Sequence, residues 1–144
     1  MGRVGAGNRT RPRATQALNR PALLDASFLI DLEREVARRD TGPAVRFLAA
    51  LRGRRLLVSV VSIEEILEGA SHEASTLTAL QKFTIQGLHL AQARRCALQQ
   101  RRAAHRLGEN DAWIVATAET LDADVVGADR PAFERLGERY LRFR

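Results

Sequence analysis

Short apolar runs that end in a turn alternate along this chain with stretches of helical period. Ala22 to Asp25, Leu56 to Val60 and Val125-Val126 read as buried strands, the second rich in β-branched residues. Helical stretches are predicted over about Ser27–Ala37, Pro43–Leu51, Ser62–Gly69, Glu73–Lys82, Leu90–Leu107, Asp111–Leu121 and Pro131–Glu138. Phe83 to Leu88 reads as a strand or a helix end, and Tyr140 to Phe143 as an edge strand. Strands that alternate with helices call for right-handed βαβ crossovers, hence an α/β fold with a mainly parallel central sheet flanked by helices. Ligands of such sheets gather at the carboxyl ends of the strands.

Four carboxylates stand where an apolar run gives way to a turn or helix: Asp25, Glu65, Asp111 and Asp129. Each has a local explanation. Asp25 can cap the helix that follows it, and Glu65 can close a capping box with Ser62. Asp111 or Asn110 can cap its helix, and Asp129 precedes the turn pair Arg130-Pro131. Caps explain the joint pattern poorly, because a cap needs no pocket. Two unit charges 4 Å apart repel by about 4 kcal/mol at an effective dielectric of 20, so converging carboxylates must bind a cation or hold protons. Oxygen-only ligands select a hard ion such as Mg²⁺ or Mn²⁺.

The 144 residues suffice for one domain with a real core. The net charge of +6 is almost wholly arginine, since Lys82 is the sole lysine among 23 basic residues. Arginine grips phosphate bidentately, which favours a polyanionic partner; a compositional bias with solvated side chains explains the charge equally well. The single cysteine, Cys96, excludes an intrachain disulfide or a cysteine zinc site and is expected to fill a helix face. His72, His89 and His105 lack metal-ligand spacing and read as structural or surface residues, and Trp113 as core. No apolar run approaches the roughly 18 residues of a membrane span.

Residues 1–20 carry five arginines and no acid and read as a flexible basic arm, with residues 21–144 as the folded domain. Glycines and Pro12 oppose the amphipathic helix of a transit peptide, and an over-extended start is equally consistent. The longest helix sets Leu90, Ala93, Ala97, Ala104 and Leu107 on one face and arginines on the other.

Leu23-Leu-Asp-Ala-Ser-Phe-Leu-Ile-Asp31, Ser59-Val-Val-Ser-Ile-Glu-Glu-Ile-Leu-Glu-Gly69, Leu107-Gly-Glu-Asn-Asp-Ala-Trp-Ile-Val-Ala-Thr-Ala118 and Val125-Val-Gly-Ala-Asp129 with Phe133 follow one another in order. Together they resemble PIN-domain ribonucleases of the VapC toxin type, over nearly everything but the arm. The resemblance implies a PIN-like three-layer sandwich and assigns Asp25, Glu65, Asp111 and Asp129 to the family's acidic positions. Glu65 rather than Glu64 aligns, because the family's glutamate lies four residues before the glycine, here Gly69. It implies that Asp25 and Asp111 hold Mg²⁺ or Mn²⁺ directly, with Glu65 and Asp129 acting through water or at a second ion. One departure stands out: the family usually has Thr or Ser two residues before the fourth acid, and this chain has Gly127.

The activity so implied is metal-assisted hydrolysis of RNA phosphodiester bonds, as the toxin of a cytoplasmic type II toxin-antitoxin pair. The implied partners are RNA, such as tRNA or rRNA, a second copy of the chain, and an antitoxin whose C-terminal segment covers the acids and can place an arginine among them. Substrate attraction would fall to Arg94, Arg95, Arg101, Arg102 and Arg106 of the long helix, to Arg52, Arg54 and Arg55, and to the arm. Those arginines are equally suited to an acidic partner segment. Two rivals stand beside this reading: a non-toxin RNA-processing nuclease, and a noncatalytic PIN fold that binds RNA or protein. A phosphatase with an aspartyl nucleophile is disfavoured, because Ser27 stands where its second Asp belongs.

Overall fold

The computed structural model describes residues 19–144. Five short strands, β1 (Ala22–Leu24), β2 (Leu56–Ser59), β3 (Thr84–Gln86), β4 (Asp124–Gly127) and β5 (Tyr140–Arg142), form one sheet in the order β3-β2-β1-β4-β5. Every pairing is parallel. In register, Leu23 of β1 lies between Leu57 of β2 and Val125 of β4. The carboxyl ends of these three strands therefore lie side by side, and the chain leaves them at Asp25, Val60 and Ala128.

The helices are α1 (Ala26–Arg38), α2 (Pro43–Ala50), α3 (Val60–Glu68), α4 (Glu73–Leu80), α5 (Leu90–Arg102) and α6 (Glu109–Leu121), followed by a 3-10 segment at Pro131–Arg139. Strand side chains alternate between two cores. Ala22, Leu24, Val58 and Val126 pack against Phe28, Ala44, Ile63, Ile66 and Leu80 from α1 to α4. Leu23, Leu57 and Val125 pack on the other face against Ile114, Val115 and Ala118 of α6 and Phe133 and Leu136 of the 3-10 segment. This is the expected three-layer α/β sandwich. Edge-to-face rings fasten both layers: Phe28 with Phe143 at 5.1 Å, and Phe133 with Tyr140 at 5.6 Å between centroids. Among the described residues no helix is long and apolar enough to cross a membrane.

Three expectations are corrected. The second strand stops at Ser59, whose hydroxyl caps α3 by accepting the Val61 N–H at 3.1 Å. Ser62 is thus a buried interior residue and no capping box forms there. The longest helix ends at Arg102, because the Gln100 side-chain amide bonds both the N–H and the C=O of Leu107 at 3.0 Å and holds the chain in a loop. Its buried face is Gln92 and Cys96, while Leu90 is 75% exposed. The physical reason is position: α5 sits outside α6, covering only a narrow stripe of Cys96 against Ala112 and Ala116. The last predicted helix is a 3-10 segment broken at Gly137, where φ is +56°.

At the opposite end of the sheet, the buried Asp124 carboxylate receives Arg20 Nε at 3.0 Å and Arg54 Nη2 at 2.6 Å. Arg20, assigned to the arm, is therefore tied to the fold; residues 1–18 lie outside the described residues. Arg54, a candidate for RNA contact, is instead committed to Asp124, with its side chain 8% exposed. A second tie joins α1 to α2. The Glu35 carboxylate accepts the Ala44 and Val45 amides, both at 2.9 Å, at the start of α2. Gly42 makes that approach possible, since a Cβ there would lie 2.5 Å from Glu35 Cδ.

Candidate active site

β1 delivers Asp25 to the carboxyl edge of the sheet, and the same residue caps α1. Its Oδ2 accepts the Ser27 N–H at 3.2 Å and the Ser27 hydroxyl at 2.6 Å, so one almost fully buried carboxylate caps the helix and is also a member of the acid cluster. The cap read from the sequence is present, and it does not keep the carboxylate from facing a cation. α3 carries Glu65 in its second turn, and α6 carries Asp111 in its first, behind the N-cap Gly108. Asp111 is therefore not the cap.

These three acids meet around one cation, the guanidinium of Arg130. Its Nη2 lies 3.0 Å from Glu65 Oε2, its Nη1 3.3 Å from Asp111 Oδ1, and its Nε 3.6 Å from Asp25 Oδ2. Burial lowers the affinity of this guanidinium for its proton, but Asp25, Asp111 and Glu65 more than reverse that, so it stays charged. Burial likewise pushes the Asp111 carboxyl above its ordinary value, with Asp25 adding to the rise and Arg130 opposing it. Glu64 faces elsewhere: it shares a hydrogen bond with Glu68 one turn on, which raises its pKa ahead of burial and the Glu65 charge.

Asp129 is not drawn into this cluster. Its backbone is left-handed, with φ +57°, and its carboxylate accepts Arg144 Nη1 at 2.5 Å, while Arg144 Nε bonds Asp31 at 2.7 Å. The structure thus brings together Asp25, Glu65 and Asp111 and leaves Asp129 on a neighbouring ion pair.

Two site residues escaped the sequence reading. In the sequence Arg130 reads only as part of a turn, one arginine among many. Ser27 carries no signal of its own in the sequence, yet its hydroxyl joins two strand ends by donating to Asp25 and accepting the Ala128 N–H at 3.1 Å. This explains the glycine at 127. A Cβ there would lie 3.2 Å from Asp25 Cβ and 3.3 Å from Ser27 Oγ, so the space a hydroxyl residue would use is taken by Ser27. The signal was the pairing of an unusual Gly127 with a serine two residues past Asp25.

Asp25, Glu65 and Asp111 form a hard, oxygen-only donor set already directed at one positive charge, and that set suits Mg²⁺ or Mn²⁺. Among the described residues no three carboxylates are grouped tightly enough around a point to cage an ion. The three carboxylates instead face three separate nitrogens of the flat guanidinium.

A PIN-domain family model matches residues 22–139. The fold is similar to that of a solved toxin-antitoxin complex chain from Klebsiella pneumoniae, at TM-score 0.65 and 27% identity, covering 83% of this chain and 98% of that one. It is also similar to a chain of the DNA-bound VapBC of Salmonella typhimurium, at TM-score 0.65 and 15% identity over 87% and 99% of the two chains. A chain of VapBC-1 from nontypeable Haemophilus influenzae gives TM-score 0.60 and 19% identity over 81% and 92%. A comparison with curated protein sequences finds no significant match. With the acid cluster at the carboxyl edge of an all-parallel sheet, and the family match spanning that sheet from its first strand to the 3-10 segment, the chain belongs to the PIN-domain family.

Proposed function

We propose that this protein is a metal-dependent endoribonuclease acting as the VapC-type toxin of a cytoplasmic type II toxin-antitoxin pair. The observation that carries this is the convergence of Asp25, Glu65 and Asp111 on one cation at the sheet's carboxyl edge. In this reading Asp25 and Asp111 hold Mg²⁺ or Mn²⁺ directly. Glu65 assists through water, and Asp129 is the fourth acid, its carboxylate engaged by Arg144. A divalent cation supplies a Lewis acid that activates water and neutralises charge developing on the phosphate.

The chain's own residues supply the rest. Ser27 fixes the Asp25 carboxylate, so its orientation needs no adjustment on ligation. Burial raises the Asp111 pKa and the Arg130 charge opposes that rise, so a positive charge beside Asp111 favours its ionised form. RNA is attracted by the overall positive charge and by exposed arginines of α5 such as Arg94, Arg101 and Arg102, through contacts that weaken with salt. An antitoxin segment fits the apolar groove of about 400 Å³ lined by Leu29, Leu32, Val36, Leu48, Ile66 and Phe83. Exposed Ile85 of the edge strand β3, with Leu88 and Leu90 just after it, favours a second copy there.

The test is cleavage of total cellular RNA with Mg²⁺, with Mn²⁺ and with EDTA, beside a folded Asp111→Asn variant. Discrete products that vanish with EDTA and in the variant are expected; products persisting in the folded variant overturn the site. One observation favours a noncatalytic binding module instead: the acids already have a cation of their own in Arg130. That reading expects no cleavage under any condition.

A further inference from the structure

We propose that Arg130 is a resident occupant of the metal position, so that the guanidinium and a divalent cation exclude each other and the chain rests in a latent state. The proposal builds on the reading of the pocket as a metal site and adds how this chain regulates it. Three guanidinium nitrogens face three different carboxylates at 3.0 to 3.6 Å, an arrangement that uses the donors a metal would need. A monovalent cation leaves two of the three negative charges unbalanced, whereas a divalent ion leaves one. Exchange is therefore electrostatically favourable once the divalent ion is abundant enough.

Arg130 is also built to leave. Its side chain is 31% exposed, against 2% for the Asp25 side chain, so it enters the pocket from the solvent side and packs into neither core. It is the N-cap residue of the 3-10 segment but makes no side-chain capping bond there, and nothing in that helix depends on its guanidinium. A partner that draws the arginine out, or a phosphate that binds it, would open the pocket to the ion.

The experiment is Mn²⁺ binding to the full chain by calorimetry, comparing wild type, Arg130→Met, Arg130→Ala and Arg130→Met/Asp111→Asn. If the arginine fills the pocket nine-tenths of the time, its removal should tighten Mn²⁺ binding about tenfold. Asp111→Asn should abolish that gain. Unchanged Mn²⁺ affinity in folded Arg130 variants overturns the exclusion while leaving the site intact. Tight binding that survives in the double variant instead refutes the metal site itself.

A second measurement needs no variant. In a Mg²⁺ titration of the wild-type chain followed by arginine Nε–H resonances, the Arg130 signal should move to the position of solvent-exposed arginines as amide signals near Asp25 and Asp111 saturate. An Arg130 signal unmoved at saturation overturns the proposal.

Discussion

Replacing Ser27 with alanine removes one hydroxyl that makes two bonds between the ends of β1 and β4. The bond to Asp25 Oδ2 is 2.6 Å long, and the bond from the Ala128 amide 3.1 Å. A hydrogen bond to a charged group contributes about 1.5–3 kcal/mol. With the buried Ala128 N–H also stranded, Ser27→Ala should lower the melting temperature by roughly 5–10 °C. Loss of a group that orients a ligand typically costs about 10–100-fold in metal affinity, and the same loss is expected here for Mn²⁺. The second half of the cycle is Gly127→Ser. Alone it forces a Cβ to 3.2 Å from Asp25 Cβ and 3.3 Å from Ser27 Oγ, an overpacking worth about 1–3 kcal/mol.

With Ser27→Ala in place, the second of those clashes disappears and the new hydroxyl can reach Asp25 from the other side. The double variant should therefore be more stable than the sum of its parts, with a coupling of about 1 kcal/mol, and should regain part of the Mn²⁺ affinity. Thermal melts with EDTA and calorimetric Mn²⁺ titrations measure both quantities. Strictly additive melting temperatures, or a Ser27→Ala variant that binds Mn²⁺ as wild type does, would refute the assignment of Ser27 as the group that positions Asp25.

Further expectations concern the frame around the site. Arg54→Ala strands the buried Asp124 carboxylate with only the partly exposed Arg20 and should cost about 3–5 kcal/mol, read as a loss of denaturant midpoint with an unchanged slope. Partial desolvation of Glu35 opposes its charge, but the Val45, Ala44 and Gly42 amides and Arg46 outweigh it and hold its pKa low. Its stabilising contribution is therefore present above the ordinary carboxylate range and lost as pH falls through the lowered value. Chemical denaturation across acidic pH should show that slope in wild type and a flatter one in Glu35→Gln.

The layered α/β plan is legible because alternating strand and helix periods leave few topologies, and because the three central strands each carry a pair or triplet of aliphatic residues, whereas the edge strands β3 and β5 carry one each. Helix ends were less legible, since they are set by single side chains: Ser59 starts α3 three residues early, and Gln100 holds Leu107 outside α5. The face of α5 was misread for a different reason. Periodicity reports that a stripe is apolar, not which layer covers it, and an outer helix leaves Leu90 in solvent. Asp25 and Asp111 can be picked out as residues at element junctions, whereas Glu65 lies inside α3 and is picked out by its spacing to Gly69. The groups that bind them cannot be picked out, because Ser27 meets Ala128 and Arg130 meets Glu65 across long sequence separations. In a chain this rich in arginine, no single arginine carries a signal.

What decides the present state of the pocket is one backbone conformation. Asp129 and Arg130 are adjacent and oppositely charged, and the left-handed geometry at Asp129 sends their side chains to different partners: Asp129 to Arg144, Arg130 to the three acids. Aspartate tolerates that geometry better than most residues, at a cost of about 1 kcal/mol or slightly more. The Arg144 bridge to both Asp129 and Asp31 helps hold it. Weakening that bridge, as in Arg144→Gln, should therefore loosen the Asp129-Arg130 link and tighten Mn²⁺ binding in the same direction as removing Arg130, though by less. If Arg144→Gln leaves the affinity unchanged while Arg130→Met raises it, the arginine leaves the pocket by side-chain rotation alone and the backbone at Asp129 plays no part.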